Sequence, residues 1–221
     1  MVSKKNIQME IPGGRSMIEL KNLTTGYTRD KPLKKNFTYT FENNKIYGIL
    51  GESGCGKSTL LKTIAGLIYP LNGEVYVDGE IIKSADKNDI YMMHQNYTSF
   101  DWLTCLDNIL ITEKVKHRKI TNETKENALR WLEMVGLKGY EDKYPTQLSG
   151  GMRQRLALAR TLYMKPSIIL MDEPLSALDE KTRVDMQDLI LDIHKETKNI
   201  IIMITHSKDE ANRMCDEILQ F

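Results

Sequence analysis

Hydrophobic positions follow two different spacings along this chain of 221 residues. In residues 18–23 and 37–41, apolar and polar side chains alternate, which predicts strands with one buried face. At the centres of residues 167–171 and 199–205, the apolar positions continue without a break, which is typical of parallel strands covered on both faces. We expect these buried strands to belong to an α/β fold.

The segments around these strands carry further signals for strands and helices. Residues 73–77 and 80–82 flank an Asp78-Gly79 pair, which is a strong signal for a tight hairpin turn. Short apolar runs predict three more strands, at residues 45–50, 89–93 and 216–221. Helical segments are predicted at residues 58–65, 150–163, 181–195 and 207–214.

The middle of the chain, from about residue 96 to residue 144, has a different character. A polar stretch at residues 114–127 separates two groups of apolar positions that recur at helical spacing. These positions are Trp102, Leu106, Ile109 and Leu110, followed by Leu129, Leu132 and Val135. The pattern predicts a helical insertion in an α/β chain. We expect one domain over residues 17–221, with a helical subdomain over about 96–155, after a leader or extension at residues 1–16.

Composition excludes several classes of protein. The 31 Lys and Arg side chains nearly balance the 30 Asp and Glu side chains, and a net charge of +1 argues against a general nucleic-acid-binding protein. The longest apolar runs have about five residues, whereas a helix needs roughly 20 to cross a bilayer. Cys55, Cys105 and Cys215 show neither metal-site nor disulfide spacing, which favours a reducing compartment.

A glycine-rich loop separates the predicted strand at residues 45–50 from a predicted helix. From Gly51 to Ser58 it matches in full the pattern of loops that bind nucleotide phosphates. Glycines at 51, 54 and 56 permit backbone angles closed to other residues, so that successive N–H groups can face one anion. Lys57 can reach the outer phosphates, and the Ser58 hydroxyl suits Mg²⁺. The predicted nucleotide-binding residues are Gly51, Glu52, Ser53, Gly54, Cys55, Gly56, Lys57, Ser58 and Thr59.

Two acidic residues, Asp172 and Glu173, follow the buried strand at residues 167–171. A carboxylate in this position is costly without a partner, which indicates a functional site. We expect Asp172 to hold Mg²⁺ or one of its waters. Glu173 is placed to polarise a water that attacks a γ-phosphate, as a general base. The alternative is a solvated acidic pair at a strand end, which the nearby phosphate loop makes less attractive.

A second anion-binding helix start is predicted at Ser149, Gly150 and Gly151. Serine is a natural N-cap residue, and two glycines let an anion approach the helix backbone. If one nucleotide is bound both here and at the phosphate loop, either the monomer closes or two chains come together.

Three single residues complete the predicted site. Gln95 follows a predicted strand, where its amide can contact Mg²⁺ or water and report occupancy to the helical insertion; the alternative is a surface amide. His206 follows a buried strand at the same sheet edge as Asp172 and can contact a γ-phosphate. Tyr27 follows a Thr-Gly pair and can stack on a nucleotide base, although many exposed loop tyrosines do not.

Taken together, these residues resemble the ATP-binding subunit of ABC transporters, from about Ile18 to the last residue. The matching motifs are the Walker A loop (Gly51–Ser58), the Q-loop (Gln95), the signature (Leu148–Met152), the Walker B acids (Asp172 and Glu173), the D-loop (Ser176–Asp179) and the switch histidine (His206). The resemblance implies a phosphate-loop NTPase core of the RecA type, with an antiparallel β subdomain and an inserted helical subdomain.

The same resemblance implies an ATPase that uses ATP and Mg²⁺ and forms a head-to-tail homodimer when ATP binds. Each ATP would lie between the phosphate loop of one chain and Ser149–Gly151 of the other. The implied partners are integral membrane permease subunits and an extracellular solute-binding protein, with no nucleic acid. The implied location is peripheral, at the cytoplasmic face of the cell membrane.

A finer resemblance concerns residues 100–108, which are similar to a segment of the nitrate, sulfonate and taurine importer ATPases. Asp101 departs from that group, where a proline commonly precedes the tryptophan. The resemblance implies import of a small anionic or sulfonate-like solute. The stretch 97–100, with Trp102 and Leu103, is a candidate docking surface that forms an apolar groove for the membrane partner; the alternative is ordinary packing inside the helical insertion. The alternatives are a soluble ABC-type ATPase acting on DNA or ribosomes, and an exporter ATPase on a separate chain.

Overall fold

The computed structural model describes residues 16–28, 30–84, 90–93, 99–176 and 178–221. The strands are β1 (Ile18–Thr25), β2 (Lys34–Phe41), β3 (Ile46–Leu50), β4 (Asn72–Val77), β5 (Glu80–Ile81), β6 (Ile90–Met93), β7 (Ile168–Asp172), β8 (Ile200–Ile204) and β9 (Glu217–Gln220). The helices are α1 (Lys57–Ile64), α2 (Cys105–Val115), α3 (Asn122–Met134), α4 (Gly150–Tyr163), α5 (Glu180–Thr197) and α6 (Lys208–Met214). Each predicted strand and helix is found, with ends that differ by a few residues.

The first sheet is antiparallel and has the strand order β2-β1-β4-β5. Along β2, Phe37, Tyr39 and Phe41 share the inward face, as the alternating pattern predicts. The predicted hairpin between β4 and β5 turns at Asp78 (φ 53°) and Gly79 (φ 82°). Two successive positive φ angles are the requirement of a type I′ turn, which explains the Asp-Gly pair.

The second sheet is parallel and has the strand order β6-β7-β8-β3-β9. Every residue of β3, β7 and β8 is buried, because α1 and the antiparallel sheet contribute to the core on one face and α4 and α5 to the core on the other. The α/β fold class is therefore confirmed. The carboxyl ends of these three strands open at one edge of the sheet, where ligands bind in open α/β folds.

Helices α2, α3 and α4 pack against one another between β6 and β7 in the sequence. The buried side chains of α3 are Ala128, Trp131 and Leu132, whereas Leu129 is 37% exposed. Of the apolar positions that the sequence offered in this segment, Leu132 and Val135 are fully buried, whereas Leu129 is only partly covered. Trp102 lies in a turn before α2 rather than in a helix, and it is 74% exposed.

The three cysteines, Cys55, Cys105 and Cys215, are all free thiols. None of the helices in the described part of the chain is long and apolar enough to span a membrane.

Candidate functional site

The phosphate loop connects β3 to α1 at the carboxyl edge of the parallel sheet. Gly54 (φ 79°) and Gly56 (φ 106°) adopt the left-handed backbone region, as expected for a loop that turns its N–H groups inward. Gly51 does not adopt a positive φ, contrary to the prediction. A glycine is required at this position by lack of space: a Cβ atom there would lie 2.8 Å from the Phe221 carbonyl oxygen and 3.1 Å from the Cys55 sulfur.

Lys57 is the first residue of α1, and its side chain is buried. Its Nζ donates hydrogen bonds to the carbonyl oxygens of Gly51 (2.9 Å) and Glu52 (2.7 Å). Among the described residues, it forms no ion pair with a carboxylate. The ammonium charge therefore lies inside the loop without an acidic partner, which suits an anionic ligand.

Ser58 and Asp172 link the phosphate loop to the acidic end of β7. The Ser58 Oγ donates a hydrogen bond to Asp172 Oδ1 at 2.9 Å, and Asp172 is buried. Hydroxyl and carboxylate oxygens are the ligands that Mg²⁺ prefers, and Mg²⁺ often takes few protein ligands because phosphates and waters supply the rest. Within the described residues, no cluster of three His, Cys, Asp or Glu side chains offers another metal site.

Glu173 and His206 meet at the same edge of the sheet, because they follow the neighbouring strands β7 and β8. His206 Nε2 lies 2.7 Å from Glu173 Oε1. Glu173 has a left-handed backbone (φ 50°), and its N–H donates to the Ile204 carbonyl at 3.2 Å. A positive φ is unfavourable for a residue with a Cβ atom and is typical of functional turns. The left-handed turn aims the Glu173 carboxylate at His206, on the loop after β8.

A cavity of about 300 Å³ adjoins this pair. Its lining includes Ser176, Arg183 and Glu210, of which the last two carry no recognisable sequence motif. Burial raises the pKa of the Glu210 carboxyl, while the hydrogen bond with Thr205 and the charge of Arg183 act in the opposite direction. Sequence reasoning missed these residues because the first turn of α5, with Arg183, and the first turn of α6, with Glu210, meet only in the folded chain.

Tyr27 lies beside the phosphate loop, as expected for a base-stacking residue. The Thr59 hydroxyl donates a long hydrogen bond of 3.4 Å to the Tyr27 hydroxyl oxygen. The Tyr27 side chain is otherwise 69% exposed, which leaves its ring free for a planar ligand.

Ser149, Gly150 and Gly151 form the start of α4. The Ser149 hydroxyl caps the helix by accepting a hydrogen bond from the Met152 N–H at 3.3 Å. Gly150 faces open space, whereas a Cβ atom at Gly151 would lie 2.6 Å from Thr182 Cγ2. Across the described residues, no hydrogen bond joins this helix start to the phosphate loop of the same chain.

Gln95 and Tyr97 lie outside the described residues, so their predicted contacts stay predictions. Next to them, the Phe100 ring lies 5.4 Å from the Trp102 ring, and the Arg160 guanidinium lies over Phe100 at 5.1 Å. In the described part of the candidate docking surface, Phe100 therefore packs against Arg160 of α4.

A family model described as "ABC transporter" matches residues 34–176. The chain is 44% identical over 186 residues to the uncharacterized ABC transporter ATP-binding protein MJ0412 of Methanocaldococcus jannaschii, covering 83% of this chain and 68% of that protein. It is 39% identical over 192 residues to the aliphatic sulfonates import ATP-binding protein SsuB of Bacillus cereus, covering 87% and 74%.

Solved structures of ATP-binding cassettes have the same fold. The dimeric structure of a post-hydrolysis state of the cassette MJ0796, bound to ADP and Pi, superposes with a TM-score of 0.80 at 31% identity, covering 92% of this chain and 94% of that chain. The ADP conformation of the cassette MJ1267 gives a TM-score of 0.82, covering 94% and 88%, and at 22% identity this likeness concerns the fold alone.

Proposed function

Because this chain belongs to the ABC transporter family and is an ATPase, we propose that it energises a membrane importer of a small anionic or sulfonate-like solute. The chain is an ATP-binding subunit that energises transport. The observation that carries the proposed nucleotide site of this chain is the hydrogen bond between Ser58 and Asp172, because it joins the phosphate loop to the acidic end of β7.

ATP would bind with its phosphates in the loop from Gly51 to Thr59. The Lys57 ammonium, now held by two backbone carbonyls, would exchange them for the outer phosphate oxygens. Tyr27 would stack on the base, since its ring is exposed beside Thr59.

The oxygen donors of Ser58 and Asp172 fit Mg²⁺ and would hold it together with the phosphates and water. Gln95 is proposed as a further contact to the metal or its water. When bound, Mg²⁺ neutralises charge that develops on the phosphate oxygens.

Glu173 is proposed as the general base of hydrolysis. Its carboxylate takes a proton from water while the water oxygen bonds to the γ-phosphorus and the bond to the ADP oxygen breaks, giving ADP and phosphate. His206 holds the carboxylate in place through the 2.7 Å contact and can also contact the γ-phosphate.

We propose that two chains form a head-to-tail dimer when ATP binds. Ser149 and Gly150 are exposed, and Gly150 faces open space, so the start of α4 is accessible to a nucleotide on another chain. Two solved structures of the cassette MJ0796, at 31% and 32% identity, are dimeric, which supports this arrangement.

The proposed partners are integral membrane permease subunits at the cytoplasmic face of the membrane, and an extracellular solute-binding protein. The similarity to proteins named for aliphatic sulfonate import supports the solute class. The helical subdomain, over about residues 96–155, is proposed to carry the motion of the dimer to the permease.

The experiment that tests the catalytic part is the change Glu173→Gln in the full chain. We expect it to bind ATP, to lower turnover by about 10²–10⁴-fold because the base is lost, and to accumulate dimers with ATP on size-exclusion chromatography. Normal turnover in this variant would contradict the assignment of the base.

The transport part is tested by isolating the chain from native membranes in mild detergent and identifying the proteins that accompany it. A multispan membrane protein together with a solute-binding protein supports import. Association with ribosomes or DNA instead would remove the transport proposal and leave the ATPase chemistry in place.

A further inference from the structure

Gln154 is a fully buried polar residue on the second turn of α4. Its Nε2 donates a hydrogen bond to the carbonyl oxygen of Pro174, the residue that follows Glu173. Its Oε1 has no hydrogen-bond partner among the described residues. Burying the Gln154 amide is costly because its oxygen has no hydrogen-bond partner, so the bond from its nitrogen to the turn after Glu173 calls for an explanation.

The Glu173–Pro174 turn is held from two sides. On the side of the sheet, the Glu173 N–H donates to the Ile204 carbonyl of β8. On the side of the helices, Gln154 donates to Pro174. Since Glu173 has a positive φ that disfavours a residue with a Cβ atom, the turn depends on such contacts to keep its shape.

The start of α4 is also packed closely against the start of α5. A Cβ atom at Gly151 would lie 2.6 Å from Thr182 Cγ2, so the two helices approach as closely as a glycine allows. Arg155 Nη2 lies 4.0 Å from Asp185 Oδ2. The N-terminal turns of α4 are therefore joined to the segment that begins at Glu173, and a shift of one is transmitted to the other.

We propose that Gln154 is a positioning residue for ATP hydrolysis, which fixes the Glu173–Pro174 turn to the helix that begins at Ser149. A nucleotide engaged by Ser149 in one composite site would thereby set the orientation of Glu173 in the other. This inference rests on the proposed roles of Glu173 and of the head-to-tail dimer.

The first test is Gln154→Leu in the full chain, with steady-state ATPase measured under Mg·ATP. Leucine keeps much of the volume of glutamine and removes both the unpaired Oε1 and the Nε2 donor, so the protein should fold. We expect kcat to fall by roughly 10- to 10²-fold, because a small misplacement of a catalytic group is enough for such a loss. KM for ATP should change by less than about threefold, since Gln154 makes no described contact with the phosphate loop.

Thr161→Val is the matched control. Thr161 is also buried on α4, and its hydroxyl donates to the Ala157 carbonyl of the same helix at 3.0 Å, away from the turn. We expect this variant to keep wild-type kcat. If both variants lose the same share of kcat, or if folded Gln154→Leu turns over at the wild-type rate, the inference is overturned.

Gln154→Glu gives a readout that a general loss of packing would not produce. A protonated carboxyl can donate to Pro174, whereas a carboxylate cannot, and burial favours the protonated form. The ratio of its kcat to that of the wild type should approach one as the pH is lowered from 9 to 6, or stay near one throughout. A ratio that stays low at every pH contradicts the role of the donor.

The double variant Gln154→Leu, Glu173→Gln separates this inference from the proposed function. If Gln154 acts through Glu173, the double variant should be no slower than Glu173→Gln alone. A further loss of tenfold or more would overturn the positioning role while leaving Glu173 as the base. Normal turnover by Glu173→Gln itself would instead remove the proposed base, and this inference with it.

Discussion

His206 Nε2 and Glu173 Oε1 lie 2.7 Å apart, across the carboxyl ends of two neighbouring parallel strands. A backbone hydrogen bond also joins these two strand ends, since the Glu173 N–H donates to the carbonyl of Ile204, at the end of β8. Glu173 is mostly buried, with 19% of its side chain exposed, whereas 46% of the His206 side chain is exposed. The histidine therefore lies on the open side of the pair, between the carboxylate and solvent.

Replacing His206 by alanine should lower kcat for ATP hydrolysis by about 10²-fold, because the carboxylate loses the group that orients it. ATP affinity should fall only modestly, since one proposed contact to the γ-phosphate is lost while the phosphate loop is untouched. His206→Gln, whose amide can still donate to Glu173, should recover part of the loss. Steady-state ATPase and equilibrium ATP binding check the prediction, and unchanged kcat in His206→Ala would show that the pair is not needed for turnover.

Gly151 and Gly150 should respond in opposite ways to alanine. A Cβ atom at Gly151 meets the stiff Thr182 side chain at 2.6 Å, whereas one at Gly150 meets nothing within 4 Å. Gly151→Ala should therefore lower the free energy of unfolding by about 1–3 kcal/mol through overpacking. Gly150→Ala should leave it unchanged or raise it by up to about 1 kcal/mol, as alanine favours the helix.

Urea unfolding without nucleotide measures both variants while the proposed dimer contacts are absent. The double variant Gly151→Ala, Thr182→Ser removes the methyl group that clashes, and it should regain most of the lost stability. Equal stability of Gly150→Ala and Gly151→Ala would mean that α4 and α5 do not need this close approach.

The buried strands and the site at their ends could be predicted from sequence because both depend on local signals. Unbroken apolar runs identify β7 and β8, and parallel strands place their carboxyl ends together. Asp172 at the end of β7 and His206 just after β8 are therefore expected near the phosphate loop. The contact from Ser58 to Asp172 follows from this placement.

Other features depend on parts of the chain that are distant in sequence. The sequence of the phosphate loop does not show that Gly51 is required by the Phe221 carbonyl rather than by its own backbone angle. In α3, Leu129 and Trp131 are two residues apart and lie on nearly opposite faces of the helix, and only packing against α2 and α4 decides that Trp131 is the buried one. Periodicity alone could not make that choice, because the spacing of these residues fits more than one face.

His194 makes stability depend on pH. It is buried near the end of α5, and its Nε2 donates to the Asn199 carbonyl at 3.0 Å. Burial lowers the pKa of His194, although the Asn199 carbonyl and the charge of Asp216 act in the opposite direction. The unfolded chain therefore binds this proton more readily than the folded chain, so the contribution of His194 is present above about pH 6.5 and is lost as the pH falls through the folded pKa.

The free energy of unfolding should therefore decline as the pH is lowered below about 6.5, and His194→Gln should decline less steeply because glutamine does not titrate. The matched control is the exposed His117, which has a left-handed backbone (φ 53°) that asparagine also tolerates. Urea unfolding at several pH values between 5 and 8 measures each slope, and His117→Asn should retain the slope of the wild type. If His194→Gln also retains it, other groups cause the acid loss of stability, since removing one titrating side chain must remove its share of the proton uptake on unfolding.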